Sequence, residues 1–500
     1  MKSLKALLLG IIVIPALMTT GCKDDETTPV QPKPDTVIVT NPGKRVMLEG
    51  VITSNRTLSA DTVYELKGKV KVPAGVVLTI QPGTRIEGQA GSFLIALRGE
   101  GNGATVTKPS GRIEAVGTAD KPIVFTSTAP EGSKQTGQWG GIILCGLASN
   151  NQPNGTASIE GDENPDSYGW GGVLGGPKDD DNSGTLKYVV VEFGGFEIRP
   201  GSEINGITFY AVGSGTTVDY VQSHYNNDDG FEMFGGTVSL KHCISSGNSD
   251  DSFDWDNGWS GKGQYLLVVQ RTGFARFARG HEIDNNADGT GATPTTNATM
   301  ANVTLIGSGN TTDKQGTDGD PNDGIYIRRG AKGKFYNYLI YNFGGTGFVM
   351  DVEKGSPKTD AYASAGELFI KNSFISTKRG NLAKGKSEIT TVNKSNGTYS
   401  DPTDQTLMGL IASWNNRTNL ATDTSAIDPM FTSFKVADNN NIPDFTLKAG
   451  SPALTFITPV SDYPSDGFFD QSGKGFMGAF PASTQGNADW TKSWAHWKTR

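Results

Sequence analysis

The sequence predicts an all-β protein built as one right-handed parallel β-helix, preceded by a lipoprotein signal peptide and a flexible linker. Three observations predict it: many short strand-like segments bounded by turns, abundant glycine with few helix-forming runs, and an internal repeat of about 22 residues. The predicted organisation is a signal peptide at 1–21, a lipidated cysteine and linker at 22–45, the β-helix at 46–482 and a C-terminal capping segment at 483–500.

The first segment carries the features of an exported lipoprotein. Lys2 and Lys5 precede an apolar run, Ala6–Met18, that is too short to cross a bilayer core as a helix. The Gly21-Cys22 junction resembles the lipobox of bacterial lipoprotein signals, in which the cysteine is lipidated and becomes the mature N-terminus. Ordinary secretion with a chance cysteine is the alternative. The sequence therefore predicts a lipid anchor at Cys22.

The residues behind the cysteine indicate where this anchor places the protein. Lys23–Glu26 resembles the acidic export tag of some Gram-negative surface lipoproteins, and a charged linker is the alternative. Residues 27–45 are rich in Thr, Pro and Val, cannot bury a core, and are typical of an extended spacer. The predicted location is the outer membrane, lipid-anchored and exposed on the cell surface.

Charge and cysteine content exclude two classes of protein. The formal net charge is −8, which disfavours the phosphate backbone of a nucleic acid as a partner. Cys145 and Cys243 are the cysteines left after lipidation, which is too few for a disulfide framework. Both lie in apolar runs, so buried free thiols are expected, with one disulfide as the alternative.

The internal repeat fixes the fold class most directly. Thr217–Gly236 aligns with Ser239–Gly258, 22 residues further on, and the segment from Leu186 aligns with the first of these when a loop around Arg199–Ser202 is allowed. In a parallel β-helix, equivalent positions of successive coils stack about 4.8 Å apart. An antiparallel sandwich also gives short strands, but it does not explain an in-register repeat.

The aligned positions form columns with a physical meaning. Opposite charges alternate in one column, apolar side chains fill another, asparagines form a ladder and phenylalanines stack. The columns are Lys187, Asp219 and Lys241; Val189, Val221 and Cys243; Tyr188 and Tyr220; Asn226 and Asn248; Asp228 and Asp229 with Asp250 and Asp251; Phe231 and Phe253; and Glu232 and Asp254.

Several phrases resemble a known family. Gly111–Thr118, Pro122–Ser127 and Gln138–Ile142 are similar to segments of secreted bacterial β-helix lipoproteins of the pectate-lyase-like type, and Asp444–Ala453 is similar to the closing turn of many β-helix repeat proteins. The resemblance covers roughly residues 60–480. It implies the β-helix fold, while the wider superfamily combines lyases, hydrolases, adhesins and inert spacers.

The acidic columns predict a metal site. Like charges on adjacent strands repel, so a cation, a basic side chain or protonation must neutralise them. Ca²⁺ suits an oxygen-rich cluster outside the cell, and the predicted ligands are Asp229, Glu232, Asp251 and Asp254. The alternative is that some of these carboxylates point apart and cap turn amides.

The same columns allow an enzyme hypothesis. Polygalacturonase-type hydrolases, which are also β-helices, carry an Asn-x-Asp segment, an Asp pair, a Gly-His-Gly and an Arg-x-Lys in this order. The corresponding candidates here, which could act as acid and base on a glycosidic bond, are Asp228, Asp229, Asp250, Asp251, His281 and Arg328. Glu282 stands where the pattern has Gly, and no Lys follows Arg328 at the expected place.

Aromatic residues near these acids suggest a ligand. Trp255 and Trp259, close to Phe253, could stack on sugar rings, although turns of β-helices also bury aromatic side chains. The predicted function is therefore a surface lipoprotein whose β-helix face binds an extracellular ligand, with polysaccharide the first expectation. A Ca²⁺-dependent or acid/base polysaccharide-degrading enzyme and a non-catalytic adhesin or receptor accessory are the alternatives.

The C-terminus predicts a cover for the open end of the β-helix. Trp490, Trp494 and Trp497 are spaced to lie on one helical face, and Asn487 or Asp489 could cap its start. A short helix or turn whose indoles pack on the β-helix is expected, with a sugar-binding aromatic strip as the alternative.

Overall fold

The structure, a computed structural model, describes most of the chain from residue 43 onward. The described residues are 43–102, 105–160, 169–172, 176–199, 201–271, 278–309, 322–352, 354–377, 391–395, 398–400, 413–414, 416–418, 428–434, 442–454, 461–485 and 488–497. They lie in one compact unit, Asp35–Arg500. The predicted lipidation site Cys22, the tag Lys23–Glu26 and the candidate cap Asn487 lie outside the described residues.

Strands dominate, with one short helix, α1 (Thr359–Ser364), and 3-10 turns at Pro153–Gly155 and Gln471–Gly475 in the described chain. The first strands in chain order are β1 (Arg45–Val51), β2 (Arg56–Leu58), β3 (Val63–Val72), β4 (Val77–Ile80), β5 (Arg85–Gly88), β6 (Phe93–Ala96), β7 (Glu100–Asn102), β8 (Thr105–Lys108), β9 (Arg112–Val116), β10 (Ile123–Ser127), β11 (Ile142–Cys145), β12 (Ala157–Ser158), β13 (Gly169–Trp170), β14 (Gly184–Glu192), β15 (Glu197–Arg199), β16 (Ser202–Glu203), β17 (Ile207–Tyr210) and β18 (Thr217–His224). The later ones are β19 (Phe231–Phe234), β20 (Ser239–Ser246), β21 (Phe253–Asp256), β22 (Lys262–Val269), β23 (His281–Ile283), β24 (Asn297–Ile306), β25 (Ile325–Ile327), β26 (Lys332–Tyr336), β27 (Leu339–Tyr341), β28 (Phe348–Asp351), β29 (Leu368–Lys371), β30 (Phe374–Ser376), β31 (Thr391–Ser395), β32 (Thr398–Ser400), β33 (Arg417–Thr418), β34 (Phe431–Ser433) and β35 (Asp444–Leu447).

Parallel pairing between successive coils arranges these strands in three long sheets. Sheet A runs through β1, the start of β3, β5, β10, the ends of β14, β18, β20, β22 and β24, and then β27, β30 and β33. Sheet B runs through the end of β3, β6, β11, β17, β19, β21, β23, β25, β28 and β31. Sheet C runs through β2, β4, β9, the starts of β14, β18, β20, β22 and β24, and then β26 and β29. The predicted parallel β-helix is therefore confirmed.

The observed strand register agrees with the predicted 22-residue repeat. Thr217 pairs with Ser239 and Phe231 with Phe253, while Lys187 pairs with Asp219 across the longer coil. The Phe231 and Phe253 rings stack at 4.8 Å. The extra residues of the longer coil form the antiparallel hairpin β15–β16, which lies where the sequence predicted a loop around Arg199. Cys145 and Cys243 are buried free thiols.

A second column marks the corner where strands pass from sheet C into sheet A. Its residues take positive φ, which is rare for bulky side chains. They are Tyr188, Tyr220, His242, Tyr265, Asn302, Asn337 and Asn372. The first four rings stack face to face, at 4.5, 4.3 and 5.1 Å between centroids, so neighbouring coils hold each other in this conformation. We call these four residues the aromatic column.

Residues 461–485 and 488–497, here called the C-terminal strap, pack along the outside of this corner. Asn302 donates to the carbonyls of Gly473 and Phe476, and Asn337 donates to Gly473, each at 2.8–2.9 Å. Further toward the C-terminus the strap meets the aromatic column, where Trp490 contacts the ring of His242 at 5.3 Å. The strap thus follows the stack of coils back toward the N-terminal end.

The strap encloses a second apolar core on the outer face of sheet A. Its members are Val190, Ile244, Leu267, Ile306, Leu339, Phe374, Phe431, Phe445, Leu447, Ala453, Met477, Ala479, Phe480, Trp494 and Ala495. At its far end His496 forms a buried contact with Glu192, Nδ1 to Oε2 at 2.8 Å. Gln222 bonds both the backbone N–H and the carbonyl of His496, at 2.7 Å each.

The position of the tryptophans differs from the predicted end cover. Residues 489–494 form a turn, and Trp494 packs edge-on against Tyr188 and Tyr220 in the middle of the β-helix. Trp497 contacts Phe445. The indoles do pack on the β-helix body, but laterally, because the column of stacked rings offers a flat apolar surface there. Along the described residues, no helix combines the length and apolar character needed to cross a membrane.

Candidate functional site

The two predicted aspartate pairs lie in successive turns between sheets A and B. Asp229 and Asp251 are buried, 7% and 4% exposed, whereas Asp228 and Asp250 are half-buried. Oδ1 of Asp229 accepts from the backbone N–H of Asp251 at 2.9 Å, and Oδ1 of Asp251 accepts from that of Arg279 at 2.5 Å. One oxygen of each buried aspartate is therefore committed to capping the next coil, which is the structural alternative that the sequence left open.

The remaining acids stand on the outer face of sheet B. Side chains alternate along a strand, so Phe231 and Met233 enter the core while Glu232 points outward. The same alternation in the following coils builds one outer column of Glu232, Asp254, Glu282 and Tyr326. A second outer column lies two residues further along: Phe234 pairs with Asp256, and Asp284 and Arg328 follow directly after the paired residues Ile283 and Ile327.

Arginines neutralise one half of this face, which we call the arginine half. Arg328 binds Asp284, Nε to Oδ1 at 2.8 Å, and also pairs with Glu282. Arg279 pairs with Glu282 and lies 3.6 Å from a carboxylate oxygen of Asp251. These contacts cross between coils, so they join the ion pairs of three turns of the β-helix into one network.

Aromatic and further ionic contacts complete the arginine half. Arg329 pairs with Asp284 at 2.5 Å. The guanidinium groups of Arg279 and Arg328 lie 4.3 and 5.2 Å from the ring centroid of Tyr326, and the Tyr326 hydroxyl donates to Asp351. The guanidinium groups of Arg279 and Arg328 thus have both carboxylate and aromatic partners, an arrangement that holds arginine side chains in place.

The neighbouring coils form the carboxylate half, where acids lie together without such partners. Asp229, Glu232 and Asp254 bring carboxylate oxygens within 4.8 Å of one another. Asn205 donates to Glu232. In the part of the chain that the structure describes, no hydrogen bond or ion pair is made by the carboxylate of Asp254.

Electrostatics separate the two halves clearly. Burial raises the pKa of Asp229, Glu232 and Asp254 well above the ordinary values, and the charges of the neighbouring acids raise these pKa values further. Burial also raises the pKa of Asp256, next to them in the second column, and the charge of Asp284 adds to it. The ionised carboxylate half therefore costs free energy unless a cation or protons compensate it.

The carboxylate half fits the predicted Ca²⁺ ligands. Two oxygens bound to one Ca²⁺ at 2.3–2.6 Å are at most about 5 Å apart, which the 4.8 Å spacing satisfies. Three of the four predicted ligands, Asp229, Glu232 and Asp254, form this group. The fourth, Asp251, belongs to a second group with Asp254 and Glu282, where Arg279 already lies nearby.

The prediction for His281 is wrong. Its side chain is 0% exposed and lies inside the β-helix, against Phe253, Trp255 and Tyr338. Burial lowers the pKa of His281 to about 3. A neutral imidazole on the inner face of sheet B touches no substrate on the outer face, so it is not the acid or base of the enzyme hypothesis. Arg328, by contrast, does lie beside the acids.

The predicted sugar-stacking tryptophans are also placed wrongly. Trp255 and Trp259 are both 0% exposed and pack together in the core at 5.3 Å between ring centroids. The indole N–H of Trp259 donates to the carbonyl of Val238 at 3.1 Å. Strand alternation explains the error: once Phe253 is assigned to the core, Trp255 must be inside and Asp254 outside.

The same alternation could have found residues that were missed. Asp284 lies two residues after Glu282 and therefore shares its outer face. Tyr326 lies directly opposite Glu282 in the ladder and two residues before Arg328, so it belongs to the same face. Arg279 carries no such signal, because it lies before β23 in a connection whose length differs from the repeat.

The match to a family model agrees with this architecture. Residues 50–420 match the family described as pectate-lyase like beta helix domain, and the chain belongs to that family. The crystal structure of pectate lyase Pel9A is similar at 14% identity over 89% of this chain and 98% of that one, with a TM-score of 0.28. The comparison with curated proteins found no match.

Proposed function

We propose that this protein is a surface-anchored lipoprotein that binds an extracellular polysaccharide on the outer face of sheet B, with Ca²⁺ held by Asp229, Glu232 and Asp254. Membership of the pectate-lyase-like family supports a carbohydrate-related role for the fold. The observation that carries the site is the carboxylate half: three acids with oxygens within 4.8 Å and raised pKa values, beside acids that arginines already neutralise.

The chemistry of this site is that of a hard cation bound to oxygen ligands. Carboxylates at this spacing bind Ca²⁺ and leave coordination positions toward solvent for hydroxyl or carboxylate oxygens of a sugar. The ion pairs of the arginine half join the three coils that contain β21, β23 and β25. The β-helix therefore positions the three acids, and the cation that they hold attracts the glycan.

A glycan array probed with the mature chain, with and without Ca²⁺, tests the proposal. Binding that requires Ca²⁺ and is lost in Glu232→Gln with Asp254→Asn is the expected result, because these changes remove two ligand charges with little change of shape. Glu114→Gln, on the outer face of sheet C beside Arg112, is the matched control and should bind as the parent does. Binding unaffected by chelation and by the double variant contradicts the proposal.

Polysaccharide degradation is the second candidate, favoured by one observation. Glu232 and Asp254 are adjacent acids, and burial raises the pKa of both, which is the direction that a general acid requires. Incubating bound polysaccharides with the parent and with Asp254→Asn separates the two candidates. New reducing ends or unsaturated products from the parent alone support an enzyme, and binding without products supports a binding protein.

The membrane anchor is a proposal that rests on the sequence. Cys22→Ala should release the protein from membranes, as measured by detergent-phase partitioning, and unchanged partitioning would contradict lipidation. Replacing Lys23–Glu26 with alanine should preserve lipidation and lose surface exposure. Equal protease shaving of intact cells carrying either version contradicts the export tag.

A further inference from the structure

The last turn of the C-terminal strap contains a buried carboxyl group with one unpartnered oxygen. Asp489 is 7% exposed. Its Oδ1 accepts from the backbone N–H of Thr491 at 3.0 Å and from the Thr491 hydroxyl at 2.6 Å. Its Oδ2 is buried as well, and nothing in the described parts of the chain hydrogen-bonds to it. An ionised carboxylate in this position lacks the donors that would replace water.

The charges around Asp489 do not supply the missing partner. Lys492, in the same turn, directs its ammonium group to Oδ2 of Asp444 on β35, at 2.8 Å. Asp444 itself brings a second negative charge to this end of the strap. Burial raises the pKa of Asp489, and the charge of Asp444 adds to it; the donors of Thr491 and the charge of Lys492 oppose this in part.

Asp489 begins the turn that docks the strap on the aromatic column. Trp490 follows it directly, donates its indole N–H to the carbonyl of Ala479 at 3.0 Å, and contacts Tyr220 and His242. Trp494 donates its indole N–H to the carbonyl of Trp490 at 2.8 Å. A buried carboxyl group thus stands at the start of the turn that positions two large apolar side chains.

We propose that Asp489 is a proton-dependent latch for the C-terminal strap: the turn at 489–494 docks on the aromatic column when the carboxyl is protonated, and loss of the proton loosens the turn while the β-helix stays folded. The sign follows from burial. A carboxyl that holds its proton more tightly in the docked state favours docking at low pH, and this contribution is lost as pH rises through the docked-state pKa.

Other titratable groups act on different parts of the strap. His496 and Glu192 form the contact at the far end, and His242 lies beneath Trp490 with its Nδ1 2.8 Å from Asp219. A test must therefore separate Asp489 from both histidines. The latch is independent of the proposed glycan site, since none of its residues belongs to sheet B.

Hydrogen exchange of the full mature chain between pH 5 and pH 8, corrected for intrinsic exchange rates, tests the latch. Protection of the amides in 488–497 should fall with rising pH, by up to about tenfold for each pH unit by which docking raises the pKa. Amides of β18 and β20 should not change. Asp489→Asn keeps the Oδ1 acceptor without the charge, so its protection should be high and independent of pH.

Two further variants keep the proposal falsifiable. Thr491→Val removes the hydroxyl donor that favours the ionised form, so the loss of protection should move to higher pH. His496→Gln should retain the pH dependence of residues 488–494. A pH dependence that persists in Asp489→Asn, disappears in His496→Gln, or occurs equally in β18 overturns the latch.

Discussion

The carboxylate half and the arginine half of sheet B are built on the same columns of the same fold, yet they differ in how their charge is balanced. Glu282 and Asp284 have Arg328 between them, whereas Glu232 and Asp254, two coils and one coil earlier, have no arginine in the described chain within ion-pair distance. In both places the register of the β-helix brings acids together. Where the next coil supplies an arginine, the acids form a structural ion-pair network. Where it supplies none, the acids form a site whose charge a cation can neutralise.

Removing Arg328 should have the largest effect on this contrast between the two halves. Arg328→Ala leaves Glu282 and Asp284, both less than 10% exposed, with one arginine each, Arg279 and Arg329, and breaking a buried ion pair from one side costs up to about 3–5 kcal/mol. Urea denaturation should show this loss in the free energy of unfolding. Arg112→Ala, which removes a half-buried partner of Glu114, should cost less, about 1 kcal/mol. Equal losses in the two variants would mean that the arginine half is not special.

Calcium should have the next largest effect, and only through the carboxylate half. At a hundredfold excess over Kd, a cation bound by the folded state alone stabilises by about 2.7 kcal/mol. Melting curves with Ca²⁺ and with a chelator should therefore differ for the parent. They should coincide for Asp229→Ala with Asp251→Ala, because the site ligand Asp229 is then lost together with the turn caps that both aspartates supply. Identical curves for the parent under both conditions would defeat the Ca²⁺ assignment.

The pH dependence of the cation-free protein should also distinguish the two halves. The folded-state pKa values of Glu232 and Asp254 are raised, so their contribution to stability is complete below the unfolded values, near pH 4, and is lost as pH rises through the folded values. In chelator, the free energy of unfolding should fall between pH 5 and pH 8, by about 1.4 kcal/mol for each pH unit by which folding raises the pKa of a carboxyl group.

Neutral variants provide the control for this pH dependence. Glu232→Gln with Asp254→Asn should flatten the profile and make the chelated protein more stable than the parent at pH 8. A profile as steep as that of the parent would mean that the titrating groups lie elsewhere, for example at Asp489. In that case Asp489→Asn would remove the pH dependence.

Arg329 should give the smallest effect. It is the most exposed of the three arginines and pairs with Asp284, which Arg328 also binds. Arg329→Ala should therefore lower the free energy of unfolding by about 1 kcal/mol or less. A loss as large as that of Arg328→Ala would show that the network depends on the number of its charges rather than on the buried geometry of one arginine.

Much of the site could be predicted from the sequence because register in a β-helix is local. An offset of 22 residues suffices to stack Asp229 on Asp251 and Glu232 on Asp254, and these contacts are observed. The errors at His281 and Trp255 concern which face a side chain occupies. Alternation from Phe253 would have corrected both, since residues in register opposite a core residue share its face.

The repeat and its columns could be read from the sequence alone, because each of them depends on residues about one coil apart. How the acids are neutralised, and what covers the outer face of sheet A, depend instead on the folded arrangement of distant segments. Arg279 reaches Asp251 from an irregular connection, and His496 reaches Glu192 across 304 residues. Contacts of this kind depend on which distant segments lie next to each other in the folded chain. They cannot be predicted from a sequence period, because the residues that form them are not about one coil apart.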